Sequence, residues 1–107
     1  MNPDLETFLE DAFQSIEPTS ASIGRVVVEP NYEADGVPSN AEQLASDLTE
    51  LLRSASPQPA ELNSPHGYEV EIPSHYSLLS KYVQRITLHQ NRVEGPWVEV
   101  APPGNWI

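Results

Sequence analysis

The chain of 107 residues has no cysteine, so it contains no disulfide framework, thiolate nucleophile, iron–sulfur cluster or zinc ribbon. Long apolar runs are missing too. The longest is Val26-Val27-Val28, far short of a bilayer span. Bases are scarce, with five Lys and Arg against sixteen Asp and Glu, for a net charge of −11. Binding to nucleic acid needs a clustered basic surface that neutralises phosphates, and an anionic membrane asks for the same. Neither partner suits this composition. The start, Met1-Asn2-Pro3-Asp4-Leu5-Glu6, lacks the basic and apolar regions of a secretory signal, which makes the cytoplasm the expected location.

Catalytic signatures are also absent. The five glycines stand apart, giving no phosphate-cradling loop and no dinucleotide fingerprint, and neither G-x-S-x-G nor S-x-x-K occurs. His66, His75 and His89 do not follow zinc-ligand spacing. Glu69 and Glu71 share one face of an alternating segment, a pattern that an exposed strand produces without any acid–base role. No cofactor and no catalytic residue are therefore expected.

The charge that is present is unevenly placed. Residues 1–50 hold eleven carboxylates and one base, Arg25, for a sum of −10, whereas residues 51–107 sum to −1. Such asymmetry points to an acidic working face, and the competing interpretation is a solvated surface that keeps the chain in solution.

Hydrophobic periodicity organises the rest. Leu5, Phe8, Leu9, Ala12, Phe13 and Ile16 predict an amphipathic helix over residues 3–16, closed by Glu17-Pro18. Residues 23–29 predict a strand that is apolar on both faces and so belongs inside a sheet, with Pro30 stopping it. A loop over 31–38 leads to a second helix. Its apolar stripe is Ala41, Leu44, Ala45, Leu48, Leu51, Leu52 and Ala55, and Ser39 with Glu42 fits a capping box. Residues 54–65, with three prolines, read as a flexible loop. Tyr68-Glu69-Val70-Glu71-Ile72 alternates as a half-buried strand. Residues 75–86 fit both periods. They are assigned a short helix over 75–80 and a strand over 81–89, followed by a turn over 90–96 and a strand over 97–100. The stretch 81–101 is thus expected as a β-hairpin, and 101–107 as an irregular tail.

The whole chain, 1–107, is expected to be one small α+β domain with about four mostly antiparallel strands and two amphipathic helices packed on one face. Residues 31–42 also run in the register of a calcium loop, with Asn31, Glu33, Asp35 and Glu42 at ligand positions and Gly36 at the turn. Pro38 and a preceding strand instead of a helix weigh against it, leaving a weak calcium candidate and no metal site otherwise.

The function these features favour is a non-enzymatic acidic module, an inhibitor or adaptor that engages a basic-surfaced protein, with nucleic-acid mimicry as one special case. Glu6, Glu10, Asp47 and Glu50 lie off the apolar stripes and are expected to reach solvent. Glu94 and Glu99 are expected to have Arg85 and Arg92 as cross-strand neighbours. Trp106, after Pro102-Pro103, is the expected aromatic anchor. The alternative is an accessory subunit of a larger assembly that uses the hairpin and the tryptophan-bearing tail. A small enzyme or a calcium-binding protein is disfavoured.

Overall fold

The computed structural model describes residues 3–14, 16, 23–90 and 97–101. It is an α+β single domain with a radius of gyration of 12.9 Å. In chain order the elements are α1 (Pro3–Phe13), β1 (Arg25–Pro30), α2 (Ala41–Ser54), α3 (Pro59–Leu62), β2 (Tyr68–Val70), α4 (Ser77–Tyr82), β3 (Val83–His89) and β4 (Val98–Val100). The sheet order is β2-β3-β1-β4. β3 runs antiparallel to both β2 and β1, while β4 runs parallel to β1.

Strand periodicity divides the sheet into two unlike faces. On the inner face Val26 and Val28 of β1 sit beside Leu88 and Ile86 of β3 and beside Val98 and Val100 of β4, with Tyr68 and Val70 completing the row from β2. Leu5, Leu9 and Phe13 of α1 and Leu44, Leu48, Leu51 and Leu52 of α2 join that row in one continuous core. Burial of each such side chain contributes roughly 1.5–3 kcal/mol. The outer face carries Arg25, Val27 and Glu29, Arg85, Thr87 and His89, and Glu69 and Glu99. β1 is flanked on both edges, as its apolar centre requires.

The hairpin expected over 81–101 does not form. β1 lies between β3 and β4, so Thr87 and Glu99 are both neighbours of Val27 and not of each other. A strand as apolar as β1 gains more from a partner on each edge than β4 gains from pairing with β3. The expected turn falls largely on 91–96, and the tail with Trp106 on 102–107, both outside the described residues.

Several local expectations also shift, and β1 runs over Arg25–Pro30 instead of 23–29. The first helix ends at Phe13 and not at residue 16, although Ile16 remains in the core and its N–H bonds to the Phe13 carbonyl at 3.1 Å. The presumed loop over 54–65 contains α3, which opens with Pro59 and exists to bury Leu62. β2 ends at Val70, two residues early, and β4 begins at Val98. The helix and strand assigned to 75–80 and 81–89 occur at 77–82 and 83–89. Gly67, before β2, has φ +70°, and a Cβ there would lie 2.7 Å from the Leu88 carbonyl oxygen. Only glycine lets the turn approach β3 so closely.

The cap of α2 is Asn40, not Ser39. The Asn40 side chain accepts from the Gln43 N–H at 3.1 Å, which removes Glu42 from the capping-box position. Asn40→Ala is therefore expected to cost about 1 kcal/mol of unfolding free energy, while Ser39→Ala leaves the urea midpoint unchanged. The reverse order in a urea titration would restore the Ser39 cap.

Candidate functional site

Two charged surfaces lie on opposite sides of the sheet. The outer sheet face is internally neutralised. Arg25 Nη2 donates to Glu99 Oε2 at 2.8 Å. Arg85 Nε lies 3.4 Å from Glu29 Oε2 and 3.1 Å from Glu69 Oε1. Glu99 thus pairs with Arg25 and not with Arg85, because β4 lies against β1; Glu94 and Arg92 lie outside the described residues. His89 is the cross-strand neighbour of Arg25. Burial holds its pKa below the usual 6.5, the Arg25 guanidinium adds to that, and Glu99 opposes it.

The helical side carries the acidic surface. On α1, Asp4, Glu10 and Asp11 are exposed and Glu6 is half-buried. Glu33 and Asp35 are exposed on the loop over 31–38, as are Glu42 and Glu50 on α2. Among the described residues none of these eight carboxylates takes part in an ion pair. The asymmetry read from the sequence thus becomes spatial: the two sheet arginines are paired with Glu29, Glu69 and Glu99, and among the described residues these helical-side acids have no such partner.

Asp47 departs from the expected set. It is only 7% exposed, and its Oδ1 accepts from Gln43 Nε2 at 2.8 Å. The sequence carries the signal for this: Asp47 follows Leu44 by three residues and precedes Leu51 by four, which places it on their side of the helix. Glu6, Glu10 and Glu50 remain on the helical surface.

The start of the loop over 31–38 is held to the last turn of α4. The Asn31 N–H donates to the Tyr82 carbonyl at 2.9 Å, and Asn31 Nδ2 to the Lys81 carbonyl at 3.1 Å. Asn31 Oδ1 accepts from the Glu33 N–H at 3.3 Å. Both ends of the Asn31 amide are thus engaged in positioning the loop. Among the described residues no three His, Asp or Glu side chains gather as metal ligands, Glu33, Asp35 and Glu42 of the candidate calcium loop included.

Tyr32 is the residue that sequence reasoning missed. Its hydroxyl donates to the Ala101 carbonyl at 2.8 Å, tying the loop to the end of β4. Its pKa is pushed up to about 12, chiefly by burial and further by the negative charges of Glu6 and Glu10. A lone tyrosine in a polar loop gives no sequence signal for either property. Elsewhere on α1, Asp4, Thr7, Phe8 and Asp11 together with Gly36 and Val37 of the loop line an open depression of about 490 Å³.

The fold and this surface define a class: a small α+β domain with a mixed four-stranded sheet, one neutralised face and one acidic helical side. Comparison of the chain with protein-family models, curated proteins and solved structures gives no match. Among the described residues no helix is long and apolar enough to cross a membrane.

The Tyr32 proton gives a test of this geometry. The folded state holds it up to about pH 12, whereas an unfolded tyrosine loses it near 10. Its contribution is complete below pH 10 and is lost as pH rises through 12, so stability falls across that window. Tyr32→Phe is expected to remove that part of the slope in urea titrations, and Glu6→Gln with Glu10→Gln to shrink it. An unchanged slope in Tyr32→Phe would refute the assignment.

Proposed function

We propose that this protein is a non-enzymatic acidic binding module, an inhibitor or adaptor that engages a basic surface of a partner protein. The observation that carries the reading is the segregation of charge. Among the described residues, eight carboxylates without ion pairs lie over α1, α2 and the loop over 31–38, with Arg53 the one base on those elements, while the paired arginines face the other way. A field of one sign attracts an oppositely charged partner over a Debye length of about 8 Å at physiological salt, and raises the association rate before contact.

A second feature supports the reading. The last turn of α1 contains Glu10 and Asp11 and no base. Carboxylates there oppose the negative end of the helix dipole, at a cost of a few tenths of a kcal/mol each. A surface chosen for stability would place Lys or Arg at that end. Where the partner's basic surface normally receives nucleic acid, these carboxylates stand in for phosphates. Trp106 remains a proposed anchor for the same partner, on composition alone. The competing reading, an accessory subunit built around the hairpin, loses the continuous hairpin edge it relied on because β1 separates β3 from β4.

The partner is to be captured from host lysate and its association measured by surface plasmon resonance. Binding is expected to weaken steeply between low and moderate salt. Glu6→Lys, Glu10→Lys and Glu50→Lys together are expected to slow association by about tenfold or more, with the circular dichroism spectrum unchanged. A salt-insensitive dissociation constant, or a triple variant that associates at the parent rate, would refute the proposal.

A further inference from the structure

The depression between α1 and the loop over 31–38 combines two properties that rarely meet on an exposed surface. Its walls include Val37, which at 40% is the one exposed large hydrophobic side chain among the described residues, and the half-buried ring of Phe8. Its rim carries Asp4 and Asp11. Asp4, Phe8 and Asp11 stand at i, i+4 and i+7, so they form one stripe along α1 with the ring between the two carboxylates. Among the described residues neither carboxylate is in an ion pair.

These properties select one kind of occupant. A neutral apolar group would leave the carboxylates unused, and a small hydrated cation would leave Phe8 and Val37 uncovered. A side chain with an apolar stem and a cationic head satisfies both. Of the two candidates, arginine fits better. Its guanidinium is planar and weakly hydrated, stacks on an aromatic face, and presents a fork of donors to a carboxylate. Lysine carries a compact, strongly hydrated charge that gains less from a ring.

Polarity along α1 orients the occupant. Asp11 lies in the last turn, where the negative end of the helix dipole adds to its charge, while Asp4 lies in the first turn, where the positive end reduces the local attraction. We propose that this depression is an arginine-binding site for the basic partner, with the guanidinium at Asp11 beside the Phe8 ring and the aliphatic stem against Val37. The site deepens the acidic-module reading and rests on it. It assigns Asp11 a role that explains its unfavourable place in the free helix: a bound cation relieves the repulsion that the helix end imposes.

The test uses the full chain, isotope-labelled for NMR, and two short peptides identical except that one carries arginine where the other carries lysine. At low salt the arginine peptide is expected to shift the amides of Thr7, Phe8, Asp11, Gly36 and Val37, and to bind about threefold or more tightly than the lysine peptide. Asp11→Asn is expected to weaken arginine-peptide binding by about tenfold while raising the melting temperature by about 2 °C. Val37→Ser is expected to weaken it about threefold with the melting temperature unchanged.

Shifts spread evenly over Glu42, Glu50 and the α1 carboxylates, with no preference between peptides, would overturn the pocket and leave the acidic-face reading intact. An Asp11→Asn variant that binds as the parent does would overturn it as well. Absence of any shift with either peptide also refutes the pocket, whereas the acidic-face reading is decided separately by the salt dependence of its captured partner.

Discussion

Everything else in this domain follows from the need to cover Val26 and Val28. Both are fully buried, and they occupy the centre of a strand with no polar residue between them. Their inner face needs a hydrophobic lid, and their two edges need hydrogen-bonding partners away from water. The lid is the layer formed by α1 and α2. The edges are taken by β3 on one side and β4 on the other. Once β1 is central, the outer face of the sheet is settled as well. Arg25 and Glu29 must point away from the core, and each meets an opposite charge on a neighbouring strand.

That pairing has a consequence for the surface as a whole. The arginines of β1 and β3 are held on the outer face by Glu29, Glu69 and Glu99. They cannot reach around the sheet to neutralise α1. The acidic character of the helical side is therefore a product of sheet topology as much as of composition. A hairpin arrangement with β4 beside β3 would have placed Glu99 next to Arg85 and left Arg25 without that partner. Exposed pairs of this kind contribute little to stability, typically 0–1 kcal/mol. Their importance here lies in where they keep the positive charge.

The loop over 31–38 links core to surface. Asn31 and Tyr32 fasten it to the last turn of α4 and to Ala101 just after β4 through backbone carbonyls. Val37 of this loop lines the same depression as Phe8, and a binding site on a held loop is preorganised. The same fastening places the Tyr32 hydroxyl near Glu6 and Glu10, which is why its ionisation reports on the acidic surface.

Much of this was legible from the residues. Both long helices, the central position of β1, the alternation of β2 and the acidic bias of the first half follow from period, β-branching and charge counts, which are local properties. The stripe of α1 and the exposure of Glu10 and Glu50 follow in the same way. The features that needed the tertiary structure are non-local. Nothing within residues 81–101 says that β1 will insert between the two strands, because that preference belongs to β1 and its buried valines. The burial of Asp47 is settled by the packing around Leu44 and Leu51, although its helical position hinted at it. The tie from Tyr32 to the Ala101 carbonyl joins residues 69 apart, and the depression is formed by residues of α1 and of the loop that are distant in sequence. The sequence by itself determined which faces are apolar and how much charge the chain carries; the tertiary structure alone decided which strands are neighbours, and hence where the positive charge is spent and the negative charge is left exposed, because strand pairing is a competition among distant segments for the same hydrogen-bonding edge.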